Sequence, residues 1–323
     1  TAREQVAHLV GVQPAQLVFT SGGTEANNLA LMSAPPRTKI AISAIEHPSI
    51  SETAEKLIQL GHQVKIIDVD SNGLITQEGL DETIAYFPMF VSIMLANNET
   101  GVIQDITSIT QQMHVNGIIV HTDAVQGLGK IPIDFNELGV EMMSLSSHKI
   151  YGPKGCGALI YNKKVRINPN LRGGGQEDGM RAGTENVPAI IGFGMAAELA
   201  RIELAQRAQH LQKLKHLLEE RLTAIPGVSI FAQAANRLPN TVQFGIQGID
   251  GEMLLMMLDQ KGVAVSSGSA CASAGGKPSP VLTAMGISTE LSKSSIRISL
   301  GKDNTESEII EFITLFETLV TPG

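Results

Sequence analysis

The chain has two cysteines in 323 residues, too few for a disulfide framework, and a reducing, cytoplasmic setting is expected. No run of eighteen apolar residues occurs, so no membrane-spanning helix is expected. Basic side chains number 24 against 32 acidic ones, a formal charge of −8. With no long Lys/Arg block to offset it, that charge argues against a nucleic-acid partner. The first residues, "TAREQVAHLVG", lack the charged-then-apolar pattern of a secretory leader and read as a helix already under way. No G-x-G-x-x-G follows a strand pattern, and neither G-x-x-x-x-G-K-[ST] nor H-E-x-x-H occurs. Nicotinamide-dependent dehydrogenases, P-loop nucleotide hydrolases and zinc proteases therefore lack their signatures, and no metal site is expected.

What the chain does have is 43% hydrophobic residues and 32 glycines, a composition suited to an α/β protein. Short β-branched runs recur: "KIAISAI", "QVKIIDVD", "FVSIMLA", "GIIVHTDA", "EMMSLSS" and "GCGALIYN". Helical patterns lie between several of them. The clearest is "PSISETAEKLIQLG", with Ile50, Ala54, Leu57 and Ile58 on one face, Pro48 near its start and Gly61 at its end. Alternation of this kind predicts βαβ units, a mostly parallel central sheet and flanking helices. A helical stretch from about 188 to 222 then bridges to a region of different pattern, with "NTVQFGI", "GEMLLMMLDQKG", "VAVSSGSAC", "SIRISLG" and a last helix after Thr305. The expected organisation is a large domain over residues 1–205 and a smaller α/β domain over residues 206–323.

Polar residues follow the apolar runs at telling places. Asp123 ends "GIIVHTD", with Gln126 three residues on, and Lys149 follows "EMMSLSSH". Ligands of open parallel sheets bind beyond the carboxyl ends of strands. An acid for a ring-nitrogen cation and a lysine for an aldehyde are the two groups that pyridoxal 5'-phosphate (PLP) requires. Singly, each has a plainer reading: Asp123 as a helix cap, Lys149 as a solvated cation. "FTSGGTEANNLAL" brings Gly23 and Thr24 to a helix start, a cradle for a dianion or simply a capped glycine turn. Ser146 and His148 flank the lysine as further donors. His47, in "AIEHPSI", ends another strand, where its ring could stack on a cofactor. Asn98, in "LANNETG", ends a fourth. Cys156 in "KGCGAL" reads as core, whereas Cys271 in "SSGSACAS" lies in a Ser/Gly/Ala loop of the mobile kind, where a thiol suggests a nucleophile. Arg297, inside the apolar run "SSIRISLG", needs an anion: a substrate carboxylate, or an internal acid.

These segments, with "VSIMLANNETGVIQDI", "HTDAVQGLGKIPIDF" and "RGGGQEDGMRAGTENV", resemble in order and over nearly the whole chain the cysteine desulfurases of the class V aminotransferase superfamily, which have PLP fold type I. The similarity is to the nitrogen-fixation and iron–sulfur-cluster assembly branch with its extended catalytic loop. It implies that Lys149 bonds the cofactor aldehyde, Asp123 holds the pyridinium, Gln126 the ring oxygen and His47 stacks on the ring and assists proton transfer. Thr24, Ser146 and His148 would bind phosphate. Thr184 would reach the phosphate of a neighbouring subunit, making a homodimer. Asn98 and Arg297 would hold the carboxylate of L-cysteine, and Cys271 would take the sulfur as a persulfide and pass it to an acceptor protein, such as an iron–sulfur scaffold or a thiolation protein. Family members begin with a further segment that has no counterpart before Thr1, so a trimmed chain or completion by another chain is expected. A selenocysteine or cystine lyase of the same superfamily, and a non-catalytic scaffold for sulfur-handling partners, are the competing expectations.

Overall fold

The structure, a computed structural model, describes residues 1–267 and 278–320. It divides into two compact units, residues 1–68, 75–96 and 104–204 forming the first and residues 69–74, 97–103 and 205–323 the second.

The first unit holds a seven-stranded sheet: β1 (Leu17–Thr20), β2 (Lys39–Ser43), β3 (Gln63–Ile67), β4 (Phe90–Ser92), β5 (Ile119–Asp123), β6 (Met142–Ser146) and β7 (Gly157–Tyr161). The spatial order is β1-β7-β6-β5-β4-β2-β3. All pairings from β6 through to β3 are parallel, and β7 is antiparallel to both of its neighbours. This is the mostly parallel sheet with flanking helices that the alternating pattern predicts. Strands β4, β5 and β6 are buried almost along their whole length, as in a sheet that helices cover on both faces. The edge strand β3 is more open, with Gln63 and Ile66 exposed and Lys65 half-buried, and its polar side chains blunt an open edge.

Its helices are α1 (Ala2–Leu9), α2 (Gly23–Leu31), α3 (Pro48–Gln59), α4 (Gln77–Tyr86), α5 (Ile106–Val115), α6 (Phe135–Leu138) and the start of α7 (Val187–Thr223). Helix α3 buries Ile50, Ala54 and Leu57, three residues of the face read from its periodicity, while Ile58 is 53% exposed. Those three side chains join Leu29 of α2, Ile40 and Ile42 of β2 and Phe90 of β4 in one core. Pro48 opens the helix at its first position, where a missing N–H costs nothing.

The second unit is built on an antiparallel sheet, ordered β10-β11-β9-β8, of β8 (Val228–Ile230), β9 (Thr241–Ile246), β10 (Ser266–Ser267) and β11 (Ile296–Ser299). Leu211, Leu214, Leu218 and Leu222 of α7 recur at helical spacing and pack with Phe244, Ile296 and Ile298 of the strands. The same core takes Leu254 and Leu258 of α8 (Gly251–Gln260) and Phe312 and Phe316 of α11 (Glu306–Val320). Two short helices, α9 (Pro280–Ala284) and α10 (Thr289–Lys293), complete the unit. Before α11, Glu308 accepts from the Thr305 backbone N–H at 2.7 Å and Thr305 Oγ1 accepts from the Glu308 N–H at 3.3 Å. This is the reciprocal capping box that T-E-S-E spells.

Candidate active site

Six of the seven strands of the first sheet run the same way, so their carboxyl ends share one edge. Asp123 is the last residue of β5, and Lys149 lies in the 3-10 turn Ser147–Ile150 that follows β6. That turn closes when Gly152 N–H donates to Ser147 O at 3.1 Å. A side chain at 152 would collide with Ser147 Oγ, so only glycine lets the chain turn back so tightly.

The Asp123 carboxyl is 5% exposed. Burial pushes its pKa up, against the hydrogen bonds from Asn27 and Val125 and the nearby charges of His47 and Lys149, which favour the carboxylate. Asn27 Nδ2 donates to Asp123 Oδ2 at 2.7 Å and to Ser49 Oγ at 2.8 Å. Ser49 in turn contacts His47 Nδ1 twice, through Oγ at 2.8 Å and through its backbone N–H, which donates at 3.1 Å. His47 is thus the N-cap of α3, and the cap fixes its ring: with Nδ1 accepting a backbone N–H, the ring proton belongs on Nε2. Burial holds the His47 pKa down, the Lys149 charge acts the same way, and Asp123 opposes both. The structure therefore brings Asp123, His47 and Lys149 into one electrostatic neighbourhood and links the first two through Asn27 and Ser49.

Helix α2 begins at Gly23 with no side-chain cap on its first turn, unlike α3, α4, α5 and α6, each of which has one. Its leading N–H groups, with Thr24 exposed beside them, are donors that could serve an anion. Gly23 is needed for close approach: a Cβ there would lie 2.7 Å from Val125 Cγ2. Glu25 does not spoil the cradle. Burial pushes its carboxyl up, but Arg181 at 2.8 Å and Ser21 outweigh this and hold it below the usual range. Ser146 Oγ and His148 Nδ1 are 2.9 Å apart. Gln126 accepts from Lys130 Nζ at 3.0 Å. Thr184 sits on an exposed loop before α7. Thr24 and His47 also line a groove of about 740 Å³ with Lys56 and Arg172, and Asp123 is not among its walls.

In the second unit, Arg297 Nη1 donates to Asn98 O at 2.9 Å, and Asn98 Oδ1 is buried without a hydrogen-bond partner among the described residues. Cys271 lies outside the described residues. Cys156 is buried, and burial together with the Glu177 charge pushes its thiol up to about 11, so it stays protonated and unreactive. His121, between Ser92 Oγ and Ser144 Oγ at 2.9 Å each, is pushed down to about 3 by burial and remains a neutral core residue.

Three residues of this neighbourhood escape a reading of motifs. Asn27 sits in "EANN", where a polar side chain inside an apolar helix is the signal for it. Ser49 appears only as a helix-start serine. Glu46 precedes His47 and is 7% exposed, with Oε1 accepting from Met94 N–H at 2.7 Å and Oε2 without a partner among the described residues. Burial, then the Asp123 charge, drives its pKa well above the ordinary value.

Residues 1–312 match the family model for aminotransferase class-V. The cysteine desulfurase IscS of Dictyoglomus turgidum is 39% identical, over 99% of this chain and 82% of that protein. A cysteine desulfurase of Nostoc sp. is 41% identical, over 99% and 81%. The solved structure of a NifS-like protein from Rickettsia africae superposes with a TM-score of 0.91 at 39% identity, covering 98% of this chain and 86% of that one.

Proposed function

The chain belongs to the class V aminotransferase family and, within it, to the cysteine desulfurases, and from that premise we propose that its strand-end residues hold PLP and release sulfur from L-cysteine, leaving L-alanine. The observation that carries this reading is Asp123, a buried carboxyl at the end of β5 within electrostatic reach of Lys149 and His47. Burying a carboxylate is costly unless a cation or donors offset it. A pyridinium nitrogen is such a cation. The uncapped start of α2, with Thr24, Ser146 and His148, supplies the donors that a phosphate needs.

Lys149 anchors the cofactor through its aldehyde. When bound, PLP supplies an electron sink for the pair left at the substrate Cα after proton loss. Lys149 would also serve as the base for the substrate Cα proton. Asp123 would hold the ring nitrogen of the cofactor, and Gln126 its ring oxygen. His47, held neutral by burial, carries its proton on Nε2 and relays it. Asn98 and Arg297 hold the substrate carboxylate, Arg297 through its planar fork. The Cys271 thiolate attacks the substrate sulfur; its lone pair makes the new S–S bond while the C–S pair stays with the substrate carbon. The sulfur then leaves as a persulfide for an acceptor protein. Reducing cytoplasm suits that free thiol.

Val187, Ile191, Met195, Leu199 and Ile202 form an exposed apolar stripe along α7. Such a face supports a homodimer, in which Thr184 reaches the partner's phosphate. No helix among the described residues is long and apolar enough to cross a membrane.

The protein reconstituted with PLP should turn yellow, yield alanine in step with cysteine consumed, and carry a labelled persulfide on Cys271. Pyruvate in place of alanine would overturn the desulfurase reading, and colourless protein after reconstitution would overturn the cofactor assignment.

A further inference from the structure

The turn from Asn97 to Gly101 sends two neighbouring residues in different directions. Asn98 offers its backbone carbonyl to Arg297 Nη1 at 2.9 Å. Glu99 buries its side chain, which is 8% exposed. There Oε2 accepts from Ser279 Oγ at 2.6 Å and from Gln243 Nε2 at 3.4 Å. Both donors belong to fully buried residues. The turn is fixed by Asn97 Oδ1, which accepts from the N–H groups of Glu99 and Thr100 at 2.9 Å each. Gln243 is the register partner of Arg297 between β9 and β11, so the strand beside the arginine also holds the acid. The Glu99 carboxylate lies within electrostatic reach of the Arg297 guanidinium.

We infer that Glu99 is a positioning residue for substrate recognition: pinned by Ser279 and Gln243, its carboxylate sets the orientation in which the Arg297 guanidinium meets the substrate carboxylate. The inference deepens the reading above and rests on Arg297 as the carboxylate ligand. The physical reason is the arginine itself. A guanidinium makes two parallel hydrogen bonds to a carboxylate only when its plane is set. Asn98 O fixes one nitrogen, and a buried counter-charge fixes the electrostatic side of the plane. Burial works against the ionised form of Glu99, while Ser279, Gln243 and Arg297 work for it. The pKa of Glu99 is raised by burial, and the placement of Ser279, Gln243 and Arg297 opposes that rise. Orientation of this kind serves substrate and transition state alike, so its loss appears in KM and spares kcat.

The test is steady-state kinetics of the PLP-loaded enzyme with L-cysteine, for Glu99→Gln, Arg297→Lys and the double variant. Glu99→Gln keeps the volume and the acceptor for Ser279 but removes the charge. It should raise KM about 10-fold with kcat within about two-fold. The double variant should be no worse than Arg297→Lys alone, because both changes act through one guanidinium. A purely structural role would give additive effects and overturn the inference. So would an unchanged KM for Glu99→Gln beside a raised KM for Arg297→Lys, which leaves the Arg297 reading standing. An unchanged KM for Arg297→Lys would overturn that reading itself, and the inference with it. Should Glu99→Gln not fold, Ser279→Ala removes the 2.6 Å donor without touching a charge. It should shift KM in the same direction by a smaller factor, and an unchanged KM there overturns the inference.

Discussion

Glu46 and Glu99 are buried to nearly the same degree, 7% and 8% exposed, one in each unit. Their surroundings treat the charge in opposite ways. Glu46 has one backbone donor, an unpartnered oxygen and the negative Asp123 for a neighbour. Glu99 has two side-chain donors and the positive Arg297. Burial raises both pKa values, but at Glu99 the neighbours pull it back, and at Glu46 Asp123 pushes it further. The contrast follows from sheet architecture. A parallel sheet ends its strands on one edge, so the residues after β2, β5 and β6 crowd together whatever their charge. An antiparallel sheet sets cross-strand neighbours by register, so Gln243 and Arg297 can be matched to what they face. The first arrangement concentrates titratable groups that a ligand can use; the second holds a charge still.

The largest effect that would sharpen this contrast comes from Lys149→Ala. It should cost about a thousand-fold or more in cysteine turnover and abolish the visible absorbance of the PLP-loaded protein, measured by spectrophotometry. Removing that cation should also let the His47 pKa rise, since Lys149 holds it down, a change that imidazole NMR would follow. Arg297→Ala is next. It should leave the absorbance intact and raise KM for L-cysteine by roughly two orders of magnitude. An Arg297→Ala protein that lost its colour would break the proposed separation of cofactor binding, at Lys149 and Asp123, from substrate binding at Arg297.

The sequence makes the sheet legible because its strands lie in short, mostly apolar runs, and a run such as "GIIVHTD" marks both the strand and the polar residue at its end. The long helix is legible for a similar reason, its leucines recurring from Leu211 to Leu222. The groups around the site are legible only where they stand at a strand end. Asn27 meets Asp123 across 96 residues of chain, and nothing local announces that α2 lies against β5. Glu46 looks like a solvated acid ahead of a helix, since burial is a tertiary property. Glu99 stands in the same motif as Asn98, yet its partners Gln243 and Ser279 lie 144 and 180 residues away.

Smaller effects probe the first unit from within. Asn27→Ala removes both donations that join Asp123 to Ser49. Chemical denaturation should show a loss of about 1–3 kcal/mol, the usual cost of stranding a buried polar partner. Asn27→Ala without that loss would mean that the amide bridge carries little of the neighbourhood's stability.

Glu46→Gln should do the least at any single pH, and its effect lies in a slope. The folded-state pKa of Glu46 is raised well above its ordinary 4.5. Between 4.5 and the folded value the native protein holds a proton that the unfolded chain has lost. The stabilisation is therefore complete below pH 4.5 and drains away as pH rises through the folded pKa, by at most about 1.4 kcal/mol per pH unit. Glutamine cannot titrate, so the stability of wild type minus that of Glu46→Gln should fall over that window and then level off. Glu99→Gln, whose parent acid is raised by burial against the opposing pull of Ser279, Gln243 and Arg297, should show a shallower fall under the same urea titrations. Equal slopes for the two variants would erase the distinction between an acid crowded at a strand edge and one matched to its neighbours.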